Sequence, residues 1–276
     1  MIDSPQIASL KSKLDRLSRS EGRTSMEMLT LFLLERAVAR LMLDDVLQKE
    51  LVFKGGYVSL RVYGSRRFTT DIDAVVHGIP SEEATRRIET AMRHDMKDGT
   101  WFYREKQTPT LTQGPYGGIS IKYRSGLGEM PKKVDRALQI GIDLGIGDPV
   151  TPGAVKTKTA FSIGEGEISW KVYPVETIIA EKLHAFFFLG NKNSRAKDIY
   201  DMNMFWDQAD HAQLRRAIEE TFKYRTFAVP RSLAEAAARI DTKVLRRGWD
   251  SATSSITPKV KFDDVYQFFL RKLTEL

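Results

Sequence analysis

Residues 54–76 read KGGYVSLRVYGSRRFTTDIDAVV. Gly55-Gly56 breaks a short apolar run, Leu51–Phe53, that reads as a strand. Tyr57–Tyr63 reads as a short helix with Leu60 and Tyr63 on one side, Gly64-Ser65 as a turn, and Asp71–Val76 as a second strand. Asp71 and Asp73 stand at i and i+2 of that strand, so both point to one face of the sheet. Like charges that close repel unless a cation lies between them. A DxD strand beside a Gly-Ser turn is therefore a candidate site for a divalent metal and a phosphate, although a lone DxD also fits an ordinary surface strand end.

Working outward, residues 1–22 read as a polar helical arm. The stretch from Ser25 to Leu47 is strongly helical, with Met28, Leu31, Leu34, Leu41 and Leu43 apolar among charges. Pro80 ends the DxD strand, and Ser81 is a candidate N-cap for a helix running to about Met96 with Glu82 and Glu83 in its first turn. Trp101 to Val172 has β character. Strands are expected at Phe102–Gln107, Gly118–Tyr123, Ala137–Leu144 and Ser169–Tyr173, separated by turns at Gly114-Pro115, Gly126–Gly128 and Gly145–Pro149. After Pro174 the pattern is helical, at about 175–189, 195–207, 210–224, 232–240 and 262–275. The expected organisation is an α+β domain over 1–173 with a mixed sheet, followed by a helical domain over 174–276.

The β region holds a third acid. Asp143 interrupts the apolar strand of QIGIDLGIG, where an unpaired carboxylate is costly. If that strand lies beside Asp71–Val76, three carboxylates converge, a set able to hold magnesium against a triphosphate. A salt bridge to a nearby lysine would satisfy Asp143 equally well. At the turn, the Ser65 hydroxyl and N–H could donate to phosphate, and Arg66 and Arg67 could neutralise it.

Two residues of the helical half break their patterns. Lys182 falls within the apolar stripe Val175, Ile178, Ile179, Phe186 and Leu189, where an ammonium needs an anion or must snorkel. Asp198 lies at the edge of the apolar side of the next helix, whose candidate N-cap is Ser194. Lys197 and Asp201 read as an ordinary surface i,i+4 pair. A short Gly190–Asn193 link makes the two helices antiparallel, so Lys182 and Asp198 either pair or line one site. Glu181 and His184 point away from Lys182.

Composition sets wide bounds. The 276 residues are 42% hydrophobic and 29% charged, with a formal net charge of +7, which suits a polyanion such as RNA but also simple solubility. Lys223, Arg225, Arg231, Arg239, Lys243, Arg246 and Arg247 form a candidate nucleic-acid surface or merely a solvated one. There is no cysteine, so disulfides, thiolate catalysis and cysteine-bound zinc are excluded. The four histidines show no metal-ligand spacing. No apolar run spans a membrane, and the polar N-terminus reads as that of a cytoplasmic protein.

Together, Gly64-Ser65, Asp71-x-Asp73 and Asp143 resemble the DNA polymerase β-like nucleotidyltransferase superfamily. The blocks KGGYVSLRVYGSRRFTTDIDAVV, IGIDLGIGD and YPVETIIAEKLHAFFFLGNKNSRAKDIYDM resemble the AbiEii-type nucleotidyltransferase toxins. The resemblance spans roughly residues 50–210. It implies a polymerase β-type domain and a helical domain with the active site in the cleft between them. It further implies Asp71 and Asp73 as metal ligands, Lys182 and Asp198 as motif residues of the helical half, and Gly64, Ser65, Arg66 and Lys54 near phosphate. The implied activity is Mg2+-dependent transfer of a nucleoside monophosphate from NTP to RNA, in particular the tRNA acceptor end, in a cell that also makes a cognate antitoxin. A small-molecule or protein acceptor, or an inactive RNA-binding module, are the alternatives.

Overall fold

A computed structural model describes residues 3–110 and 118–276; the expected Gly114-Pro115 turn lies outside the described residues. The chain forms helices α1 (Ser4–Glu21), α2 (Ser25–Leu41) and α3 (Asp45–Glu50), strand β1 (Leu51–Lys54), α4 (Gly55–Arg61), β2 (Asp71–Val76) and α5 (Ser81–Met92). Strands β3 (Thr100–Thr110), β4 (Gly118–Leu127), β5 (Leu138–Ile146), β6 (Val155–Ala160) and β7 (Glu167–Val172) follow. Six helices complete it: α6 (Val175–Leu189), α7 (Ala196–Phe205), α8 (His211–Tyr224), α9 (Leu233–Ala238), α10 (Lys243–Ala252) and α11 (Phe262–Leu273). Among the described residues no helix is long and apolar enough to cross a membrane.

These elements divide into two compact units. The first comprises Met1–Val58, Phe68–Gly147 and Lys156–Val172; the second comprises Ser59–Arg67, Asp148–Val155 and Tyr173–Leu276.

The first unit is built on a seven-stranded mixed sheet in the order β3-β4-β5-β2-β1-β7-β6. β2 runs parallel to β5 and antiparallel to β1, and β4 is antiparallel to both β3 and β5. Alternation gives the sheet two different faces. Ile72, Ala74, Val76, Ile121, Tyr123, Ile140, Ile142 and Leu144 are all buried on one face, against which α2 packs, with α5 beside it. The carboxylates of β2 and β5 lie on the other.

α2 is closed at its start by a capping box between Thr24 and Glu27, which satisfies two otherwise orphaned backbone N–H groups. Its C-terminal half carries buried charges with fixed partners. Glu35 accepts the backbone N–H and hydroxyl of Ser162 at 2.8 and 3.1 Å. Arg36 donates to the Ile163 carbonyl at 2.5 Å and lies over the Phe161 ring. Arg40 grips both oxygens of Asp98 at 2.9 Å. Helix α2 thereby fastens the β6–β7 turn and the approach to β3 to the frame that carries the carboxylates.

Three expectations are corrected by local geometry. The helix read as continuous from Ser25 to Leu47 is two, because the Asp44 side chain accepts the N–H groups of Val46 and Leu47 and starts α3. Pro80, not Ser81, occupies the N-cap of α5. Arg195, not Ser194, precedes α7; its N–H is taken by the Asn193 side chain at 2.8 Å.

The second unit is a helical assembly in which α6 packs on α7 and α8, and α7 on α10 and α11. Its core is rich in rings: Phe186, Phe205, Trp206, Phe222 and Phe269 are almost fully buried. In the aromatic run of α6, Phe186 is core, whereas Phe188 is 48% exposed.

Candidate functional site

In the first unit the parallel register between β2 and β5 sets Asp73 directly beside Asp143 and Asp71 beside Gly141. Register partners share a face, so Asp71, Asp73 and Asp143 lie on the same side of neighbouring strands, about 4.8 Å apart between strands. β1 adds Lys54 opposite Asp73, and β4 adds Ser120 opposite Asp143. A row thus crosses the sheet as Lys54, Asp73, Asp143 and Ser120. The Asp73 carboxylate lies so close to Gly55 that a side chain there would overlap it.

These residues fit a hard divalent cation. The Asp143 Oδ1 atom is buried with no hydrogen-bond partner, which is costly for a carboxylate unless an ion supplies the missing interaction. Among the described residues, no three acidic or histidine side chains converge tightly enough to hold a metal by themselves. Magnesium does not require that: it is commonly bound through one or two carboxylates, with waters and substrate phosphates completing its shell.

The second unit contains a separate ionic cluster. The Lys182 ammonium donates to Asp198 Oδ1 at 2.6 Å and Asp201 Oδ2 at 2.9 Å. Arg195 donates to the other Asp198 oxygen at 2.5 Å, and Arg67 reaches Asp201 through two donors at 3.2 and 3.3 Å. Asp201 is fully buried and Asp198 nearly so. Burial by itself would raise the Asp198 carboxyl, but Lys182 and then Arg195 outweigh it and hold the group far below the usual carboxylate range. Burial by itself would lower Lys182, yet Asp198 and Asp201 leave it above its ordinary value. A carboxylate with so low a proton affinity is a poor general base near neutrality; Asp198 holds cations instead.

The sequence reading of α7 is corrected at Asp201. It is not half of a surface pair with Lys197, which stays exposed, but the centre of the buried cluster. Lys182 and Asp198 are brought together, as the short link between their helices required. Glu181 instead accepts from Arg225 at 3.0 Å, and Arg225 also meets Asp148 at 3.5 Å.

The turn places the remaining expected residues. Ser65 is buried, its N–H donates to the Ser59 carbonyl at 2.9 Å, and its hydroxyl accepts the Arg67 N–H at 3.2 Å. The Ser65 N–H is thus hydrogen-bonded within the turn. Gly64 precedes it with φ +74°, and Arg66 is exposed.

His184 belongs to the core. It stacks on Phe188 and meets Phe222 and Phe227 edge-on. Burial, reinforced by Arg225, lowers it to about 4. An unfolded histidine titrates near 6.5, so the unfolded chain binds the extra proton first as pH falls. The stabilisation from keeping this ring neutral is complete above pH 6.5 and is lost on the way down to about pH 4. About 2 kcal/mol should be gone by pH 5, before most carboxylates protonate. Denaturant titrations from pH 7 to 5 should show this slope in the wild type and a flattened one in His184→Phe; equal slopes would refute the assignment.

The sheet is mixed, and its central strands carry three carboxylates on one face. The chain belongs to the family described as nucleotidyl transferase AbiEii toxin of type IV toxin–antitoxin systems, whose model matches residues 36–268. No curated protein matches the chain. Among solved structures, JHP933 from Helicobacter pylori is similar at 14% identity and TM-score 0.49, over 87% of each chain. A second H. pylori chain, described as a candidate nucleotidyltransferase, is similar at 17% identity and TM-score 0.44, over 87% of this chain and 93% of that one. Both likenesses are too remote to bear on activity.

Proposed function

We propose that the protein is a toxin that transfers a nucleoside monophosphate from NTP to an RNA hydroxyl, with the tRNA acceptor end as the target. The observation that carries this reading is the β2–β5 register, which sets Asp73 beside Asp143 and leaves a buried Asp143 oxygen without a partner. Asp71, Asp73 and Asp143 would hold Mg2+, which when bound neutralises triphosphate charge and lowers the barrier to attack at the α-phosphorus. Asp71 and Asp73 orient what they bind from one face of β2. Lys54, beside Asp73, offsets the local negative charge. In the helical unit Arg66 is a candidate phosphate contact, and Asp198 and Asp201 hold Lys182 and its neighbouring arginines in place. Membership of a toxin–antitoxin family supports a cognate antitoxin as partner, with both acting in the cytoplasm.

Incubation with each labelled NTP, Mg2+ and total tRNA tests the reading. Label on RNA that requires Mg2+ and is absent with Asp71→Ala is expected. Label on protein or a small molecule instead would move the acceptor to another class, and no Asp71-dependent transfer to any acceptor would overturn the enzyme reading.

A further inference from the structure

We propose that Lys122 is a positioning residue for Asp71: it holds the carboxylate in place of a divalent cation and gives it up when the cation arrives. This rests on the reading of Asp71 as a cation ligand. Three observations carry it. Lys122 on β4 is the register partner of Gly141 on β5, and Gly141 is the register partner of Asp71 on β2. An acid and a base thus flank, on the same face, a strand position with no side chain. Their side chains fill that gap, since a Cβ on Gly141 would stand 2.5 Å from Asp71 Oδ1 and 2.8 Å from Lys122 Nζ. The two groups are 3.7 Å apart, with side chains 35% and 41% exposed.

That separation is an ion pair but too long for a hydrogen bond, and exposure screens it further. The other Asp71 oxygen takes the Thr70 hydroxyl at 3.1 Å. Lys122 therefore eases the repulsion between Asp71 and Asp73 without locking the carboxylate. The contrast is Lys182, whose contacts of 2.6 and 2.9 Å reach carboxylates at most 3% exposed. One lysine is built into its site, while the other is placed to be displaced by a doubly charged ion.

Mn2+ binding to the full chain without nucleotide, measured by calorimetry, tests this. Removing a competing ammonium should tighten Mn2+ binding about 2- to 5-fold in Lys122→Ala and in Lys122→Gln, the range a screened ion pair supports, while Lys122→Arg should resemble the wild type. The two neutral variants guard against a folding defect in either. Unchanged or weaker binding in both, with Asp71→Asn abolishing it in the parent, would overturn the role of Lys122 and leave the cation reading standing. Mn2+ binding that does not depend on Asp71 in any variant would overturn the cation reading and this proposal with it.

Discussion

The Asp201→Ala variant should lose about 3–5 kcal/mol of stability, the usual cost of removing one partner of a buried ion pair. Asp201 is fully buried and receives both Lys182 and Arg67. Deleting it takes one of two carboxylates from Lys182 and this contact from Arg67, whose side chains are only 12% and 11% exposed. The cost of the stranded charges, more than any lost attraction, sets the size of the effect. A denaturant midpoint that falls at constant m-value is the expected signature. Lys197→Ala, one turn away but exposed, should change stability by no more than about 0.5 kcal/mol. A similar small change in Asp201→Ala would show that water reaches the cluster.

Asp73→Asn should affect activity and not stability. The amide keeps the shape that fits against Gly55, where there is no room for a larger group, but it removes the charge between Lys54 and Asp143. Loss of one electrostatic element aimed at developing charge typically costs about 10²–10³ in rate. Nucleotide transfer should fall at least that far, with the thermal midpoint within a few degrees of the parent. Retained transfer would remove Asp73 from the site.

Much of the frame was legible because its patterns were strong. The DxD strand, the apolar β5 strand with Asp143 at its centre, and α6 were all marked by hydrophobic runs or by a single residue that broke one. Lys182 was found through that kind of break. β6 was not found, since VKTKTA has almost no apolar content; it is an edge strand that owes its form to pairing with β7, and its lysines suit an exposed edge. α10 was missed because Gly248 sits mid-helix and no side chain caps its start; Gly248 faces the Ser194 carbonyl and Ala196 at close range. Asp201 was misread for a different reason. Lys197 offers a partner one turn away, whereas the partners that hold Asp201 are Lys182 on another helix and Arg67, separated from it by 134 positions. Local spacing cannot rank a near partner against a distant one. Lys122 was invisible for the same reason, because its relation to Asp71 exists only through the order of three strands.

The helical unit is not inherited as one continuous piece of chain. Ser59–Arg67 and Asp148–Val155 belong to it, although both are encoded within the half that builds the sheet. Arg67, one of the cations on Asp201, comes from the first of these excursions, and Asp148, which meets Arg225 at 3.5 Å, comes from the second. A fragment beginning at Pro174 would carry the helices but leave behind charges that its own interior is built to receive. Exchange of this unit between relatives by a single genetic crossover would therefore pair each interior with foreign counter-charges. The charges inside the helical unit are thus supplied by three separate stretches of the chain.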